Sequence, residues 1–175
     1  MNPAKEILCF SFVVFLGLNG SYAGEDSLQD YKDLKPISFF GAISVSVYIG
    51  NPADTAIPAN WDGLSSAELT QFMRFQFAKY FSGVPFRSVD VTHWSNEENR
   101  RVMGRFLCRV WIADDDLSVV YQVKCQISTS DHSNIVGNAI IGYCPKDKVA
   151  AVVSQHIDRM VESFAPIYFR VRDEL

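Results

Sequence analysis

Arg105-Phe-Leu-Cys-Arg-Val-Trp-Ile-Ala-Asp-Asp-Asp-Leu-Ser-Val-Val-Tyr-Gln-Val-Lys-Cys-Gln-Ile127 decides the fold, because it alternates apolar and polar residues on both sides of a run of aspartates. Phe106, Cys108, Val110 and Ile112 alternate with Arg105, Leu107, Arg109 and Trp111. Beyond Asp114-Asp115-Asp116, Leu117, Val119, Tyr121, Val123, Cys125 and Ile127 alternate with Ser118, Gln122, Lys124 and Gln126. Strand side chains repeat with a period of two, so this is an antiparallel hairpin with one apolar face, and Cys108 and Cys125 both lie on it. A four-residue connection from Asp115 to Ser118 sets Cys108 opposite Cys125, within reach of a disulfide; a two-residue turn at Asp115-Asp116 sets Cys108 against Val123 and leaves both thiols unpaired.

Working outward, Ile43, Val45, Val47 and Ile49 alternate with Ser44, Ser46 and Tyr48, which marks a half-buried strand. Residues 50–63 are dense in Pro, Gly, Asn and Asp and read as a long loop carrying Trp61. Ser65 and Glu68 form a capping box, and Leu69, Phe72, Met73, Phe77 and Tyr80 follow at helical spacing until Ser82-Gly83 and Pro85. That aromatic stripe is read as core packing in preference to a cofactor box, since such stripes are how helices bury themselves. Phe86–Val91 reads as a short strand, and Ser95 with Glu98 as the start of one helical turn.

After a polar loop over Ser128–Asn134, a strand is expected near Asn138–Tyr143. Val149, Val152, Val153, His156, Ile157, Met160, Val161 and Phe164 then hold the spacing of an amphipathic helix over four turns. Pro166 is expected to break or kink it, leaving Ile167–Val171 as a bent continuation or an extended tail. The fold class is α+β: a mainly antiparallel sheet with two amphipathic helices packed on one face, in the order strand, helix, strands, helix. Its other face carries Arg105, Arg109, Trp111, Gln122, Lys124 and Gln126.

The chain has 175 residues, 48% of them hydrophobic, enough for one domain with a substantial core. Lys5, the apolar run Ile7–Leu18 and the small residues around Ser21-Tyr22-Ala23 have the pattern of a secretory signal peptide over residues 1–23. The run is shorter than the ~20 residues of a membrane span, so no span is expected after cleavage. Residues 24–36 are polar and read as a mobile lead-in, and 37–175 as a single α+β domain. Cys108, Cys125 and Cys144 remain after cleavage, in a compartment where thiols can pair. A net charge of -4 gives no basic surface for nucleic acid.

Little in the chain spells out chemistry. His93, His132 and His156 stand at no metal-ligand spacing, and no catalytic or phosphate-cradling motif occurs, so no catalytic residue, cofactor or metal is assigned. His156 falls on the apolar stripe of the last helix, as a core histidine does. Asp114-Asp115-Asp116 lacks the alternate ligand spacing and the glycine of a calcium loop and is read as a turn. Glu97-Glu98 reads as first-turn helix charge. Trp61 and Trp111 are the candidate contact residues, with completion of the core as the alternative for each. Arg172-Asp-Glu-Leu175 is similar to an endoplasmic-reticulum retrieval signal, which gives lumenal retention as an alternative location.

Gly142-Tyr-Cys-Pro-Lys-Asp-Lys-Val-Ala150 and Ile157-Asp-Arg-Met-Val-Glu-Ser-Phe-Ala165, with the order of elements over Ile43–Arg172, resemble small exported proteins of Gram-negative bacteria. Their domain looks like the amino-terminal domain of the periplasmic protein TolB. The resemblance implies a periplasmic binding or assembly module with a protein partner in the cell envelope and no catalytic centre. Two rivals stand beside it. One is a secreted enzyme whose site is assembled from distant residues, with His93, His132 and Asp131 as its acid-base set. The other is a purely structural part of a larger complex.

Overall fold

The computed structural model describes residues 28–49, 63–89, 100, 102–114, 118–131 and 135–174. The expected signal peptide, the loop holding Trp61, the Ser95 capping box, the Asp115-Asp116 turn, His93 and His132 lie outside the described residues.

Four strands form one sheet in the order β1 (Phe39–Ile49), β2 (Met103–Asp114), β3 (Ser118–Ser128) and β4 (Val136–Pro145). β2, β3 and β4 pair antiparallel, whereas β1 runs parallel to β2. A parallel pair cannot be closed by a tight turn, so a crossover must join its strands, and helix α1 (Ser66–Tyr80) lies within that crossover. Helix α2 (Val149–Glu174) follows β4. The expected order and fold class are those observed.

The hairpin takes the register of the four-residue connection: Asp114 pairs with Val119, Ile112 with Tyr121, Val110 with Val123 and Cys108 with Cys125. Cys108 and Cys125 are joined in a disulfide, and both are buried. Cys144, also buried, lies outside that bond.

Ile43, Val45, Val47, Phe106, Val110, Ile112, Tyr121, Val123 and Ile127 form the covered face of the sheet, and all are buried. Val153, Ile157, Met160, Val161 and Phe164 of α2 and Leu69, Met73 and Phe77 of α1 belong to the same core. Phe40 sits at the centre of its aromatic end, with ring centroids 4.9 Å from Phe77, 5.8 Å from Phe81 and 6.0 Å from Tyr168. The Phe77 and Phe81 contacts are edge-on, the arrangement the ring quadrupole favours.

Besides packing, α1 covers the outer edge of β1. The Val45 N–H donates to Thr70 Oγ1 (2.9 Å), the Val47 N–H donates to Ser66 Oγ (3.1 Å), and Arg74 Nε donates to the Ile43 carbonyl (3.3 Å). Side chains thus replace the neighbouring strand that an edge would otherwise recruit. Ser65 caps the helix: its hydroxyl accepts from the Glu68 N–H at 3.1 Å, and its own N–H donates to the Glu68 carboxylate at 3.3 Å. That capping box holds the Glu68 carboxyl below its ordinary range.

Two expectations are corrected. The strand expected at Phe86–Val91 is, in its described part, a single parallel bridge between Phe40 and Phe86, flanked by Phe40 N–H to Pro85 C=O and Arg87 N–H to Phe40 C=O, both 2.9 Å. The Val89 N–H donates on to the Gly41 carbonyl at 3.2 Å, and from Ile43 onward α1 occupies the edge of β1. The lead-in over 24–36 contains, in its described part, a 3-10 helix over Leu28–Leu34 whose Leu34 is buried, as is Ile37 beyond it.

Of the two outcomes left open at Pro166, the helix continues: α2 runs through it to Glu174. Pro166 faces solvent, so the hydrogen bond it cannot make is lost where water replaces it. Buried Tyr168 and Val171 then reward the extra turns. Tyr168 Oη donates to the Ile37 carbonyl at 2.8 Å, and the Arg172 guanidinium donates to that carbonyl and to Tyr168 Oη.

Val153 is fully buried in the middle of the α2 stripe. Val153→Asp places an unpaired charge there and is expected to abolish the cooperative melting transition seen by circular dichroism, at a cost of several kcal/mol. Thiol titration of the unfolded, unreduced protein is expected to find Cys144 reactive and Cys108 and Cys125 protected. Reduction is expected to lower stability by about 3 kcal/mol in urea titrations, the chain-entropy value for a loop of this length.

Candidate functional site

Because α1 and α2 share one side of the sheet, its other side is open among the described residues. Register places Tyr48, Trp111, Gln122 and Ile141 in one row across β1 to β4. The next row, toward the end of β2 and the start of β3, holds Ala113, Val120 and Tyr143, and the row on the other side holds Ser46, Arg109, Lys124 and Ala139. Tyr48 and Trp111 are stacked, with centroids 5.5 Å apart and planes inclined by 20°. Val120 and Tyr143 face each other across β3 and β4 and are about half exposed, at 51% and 50%.

Apolar groups on a strand normally turn inward, so this band runs against the alternation that built the core. Large rigid aromatics beside aliphatic groups on a flat face offer contact area at little entropy cost. Arg109 is exposed and Lys124 half-buried. Arg105 bends back to donate to the Thr129 carbonyl, and burial lowers its pKa from the ordinary guanidinium value.

Of the two expected contact residues, Trp111 lies in this band and Trp61 is outside the described residues. Trp111 stacks on Tyr48 and stays out of the core. The six residues expected on the open face fall on it by register, though Arg105 is partly withdrawn. The reading by period missed Tyr48, Val120, Ile141 and Tyr143. A signal was present for Val120, flanked at the same parity by Ser118 and Gln122, and for Tyr48, preceded by Ser46, whereas Ile141 and Tyr143 follow Ala139 at one parity and carry no polar contrast.

Of the expected acid-base set, only Asp131 is among the described residues. Asp131 is exposed. His156 is buried, and its Nε2 lies 3.0 Å from Tyr121 Oη, while its Nδ1 has no hydrogen-bond partner. Gly142 makes the space for that pair, since a Cβ there would collide with the Tyr121 hydroxyl. Burial, reinforced by the Arg159 guanidinium, holds His156 below the ordinary imidazole range. The arrangement is that of a neutral core histidine. No group of three or more His, Cys, Asp or Glu that could hold a metal ion occurs among the described residues. No described helix is long and apolar enough to cross a membrane.

No protein-family model matches the chain, and no curated protein does. Among solved structures it is similar to a dodecamer of PelC from Paraburkholderia phytofirmans. A single-residue variant of that protein gives a TM-score of 0.44 at 9% identity, covering 75% of this chain and 90% of that one. A second crystal form gives 0.40 at 8% identity, covering 75% and 91%.

The lowered pKa of His156 has a sign that stability measurements read. Protonation favours the unfolded chain, so the native state is fully stable above the unfolded-state pKa of about 6.5 and loses stability as pH falls below it toward the folded-state value. Urea midpoints are expected to fall from pH 7.5 to pH 5 in the parent protein, and to fall less in His156→Gln. An equal fall in both would remove His156 as the cause.

Proposed function

We propose that this chain is an exported binding or assembly module, without catalytic activity of its own, that engages a protein partner through the open face of its sheet. The observation that carries the reading is the apolar band of stacked Tyr48 and Trp111 with Ile141, Val120 and Tyr143 on the uncovered side of an otherwise well-packed sheet. An enzyme of this size concentrates polar groups in a cleft, whereas this face is aromatic, and no group of three or more His, Cys, Asp or Glu that could hold a metal ion occurs among the described residues.

Export is supported by the disulfide, which persists in oxidising compartments, and by the amino-terminal pattern of a signal peptide. The periplasm is the compartment proposed, on the resemblance to TolB amino-terminal-like domains. Retention in the endoplasmic reticulum is less well supported, because Arg172 of the Arg172–Leu175 tetrapeptide is helical and bound to Ile37 and Tyr168.

The test is an in-cell cross-linking pull-down from the native host with the parent protein and with the double variant Trp111→Ala, Val120→Asp. The band sits outside the core, so the double variant is expected to fold with a melting temperature close to the parent's and to lose its specific partners by tenfold or more in yield. Retention of every partner by the folded variant would end the reading.

A further inference from the structure

The open face also carries charge, of one sign. Arg109 and Lys124 are direct partners in the β2–β3 register, so two cations face each other on neighbouring strands. Such partners have Cβ atoms about 4.5–5.5 Å apart, and like charges at that separation destabilise a sheet. Neither side chain makes an ion pair among the described residues. Among the strands, β1, β3 and β4 contain no carboxylate, and β2 contains one, Asp114, in its last position. The whole chain carries a net charge of -4, and its other described carboxylates lie on α1, α2, the 3-10 helix over Leu28–Leu34 and the connecting segments.

A local rule is therefore broken at one rung, in a chain with acidic residues to spare, on the face that also displays the aromatic band. Departures of this kind, where sequence works against its own fold, concentrate at functional positions. An anion seated over Arg109 and Lys124 relieves their repulsion and gains two charge-assisted hydrogen bonds. Beside that rung lie Trp111, Tyr48, Gln122 and Ile141, and on its other side Ser44, Leu107, Gln126 and Gly137. Aliphatic groups on both sides of the cations suit an occupant with its own aliphatic side chains. A polypeptide has these, and an acidic polysaccharide does not.

We infer that the partner of the open face is an acidic protein segment, which places a carboxylate between Arg109 and Lys124 and lays apolar side chains on the band of Trp111, Ile141 and Val120. This rests on the reading of the open face as a binding surface and adds the partner's chemistry to it. Electrostatic complementarity of this type sets the rate and specificity of association more than its ultimate strength. It also makes binding sensitive to salt on the scale of the Debye length, about 10 Å at 0.1 M.

The experiment is NMR shift mapping of the isotope-labelled mature protein against poly-L-glutamate, with poly-L-lysine and polygalacturonate as comparisons. Poly-L-glutamate is expected to shift the backbone amides of Arg109, Trp111, Gln122 and Lys124 at low salt, with the shifts lost at about 0.5 M salt, where the Debye length is a few ångströms. Lys124→Glu is expected to weaken that binding at least tenfold while raising the melting temperature by about 1–4 °C, because it turns a repulsive rung into an attractive one. The rise in melting temperature also shows that the variant is folded.

Absence of shifts at these residues with poly-L-glutamate overturns the inference, as does equal binding by Lys124→Glu. Binding of polygalacturonate in place of poly-L-glutamate overturns it in favour of a carbohydrate. Partners that depend on Trp111 and Val120 but are indifferent to Lys124→Glu would leave the binding face standing and remove the acidic segment. Partners indifferent to both sets would remove the face itself.

Discussion

Burial of one side of a four-stranded sheet beneath two helices is the constraint on which the rest of the structure depends. Strand side chains alternate, so a sheet covered on one side tolerates one register and one parity for each strand. A slip of a single residue between β2 and β3 would bring Arg109 and Trp111 under α2 and turn Val110 and Ile112 to the outside. The same parity carries Cys108 and Cys125 to one side and sets them opposite each other. The disulfide follows from hydrophobic burial, and the two then reinforce each other.

The sheet treats its margins in a way that depends on the same covering helices. β1 is an edge strand, yet its outward backbone groups are occupied, first by Pro85 and Arg87 and then by Thr70, Ser66 and Arg74 of α1. One helix thus fills the core with Leu69, Met73 and Phe77 and closes an edge with its hydroxyls. At the far end of the chain, Tyr168 and Arg172 close on the carbonyl of Ile37, more than a hundred residues earlier in sequence. Those bonds join the last turns of α2 to the segment that leads into β1, so a helix that a proline ought to end continues through it.

How much of this could be read in advance depends on whether a feature is local. The hairpin alternation, the Ser65 capping box and the α2 stripe are patterns within a few residues of one another, and each led to the element observed. The disulfide was legible as far as parity, while register waited on the length of a connection whose aspartates suit either turn. The parallel pairing of β1 with β2 was not legible, because it joins segments more than fifty residues apart. Thr70 and Ser66 resemble any exposed helix residues until a strand edge is set beside them. Of the candidate surface, Trp111 was visible as an aromatic at a polar position. Tyr48, Val120, Ile141 and Tyr143 each look like an ordinary exception until register aligns the four strands and makes one band of them.

The disulfide and the cationic rung stand next to each other on the same ladder, Cys108–Cys125 on the covered side and Arg109–Lys124 on the open side. This adjacency gives a physical account of why the hairpin tolerates opposed cations. Facing like charges cost at most about 1 kcal/mol, whereas a cross-link closing a loop with a sequence separation of 17 contributes about 3 kcal/mol. The covalent rung exceeds the repulsive one several-fold and fixes the strand separation at the point where repulsion would open it. The buried side can thus hold the open side in an arrangement that the open side alone disfavours, leaving two cations preorganised and unneutralised. Binding an anion there costs little reorganisation, since the strands that present the charges are already held by the bond beneath them.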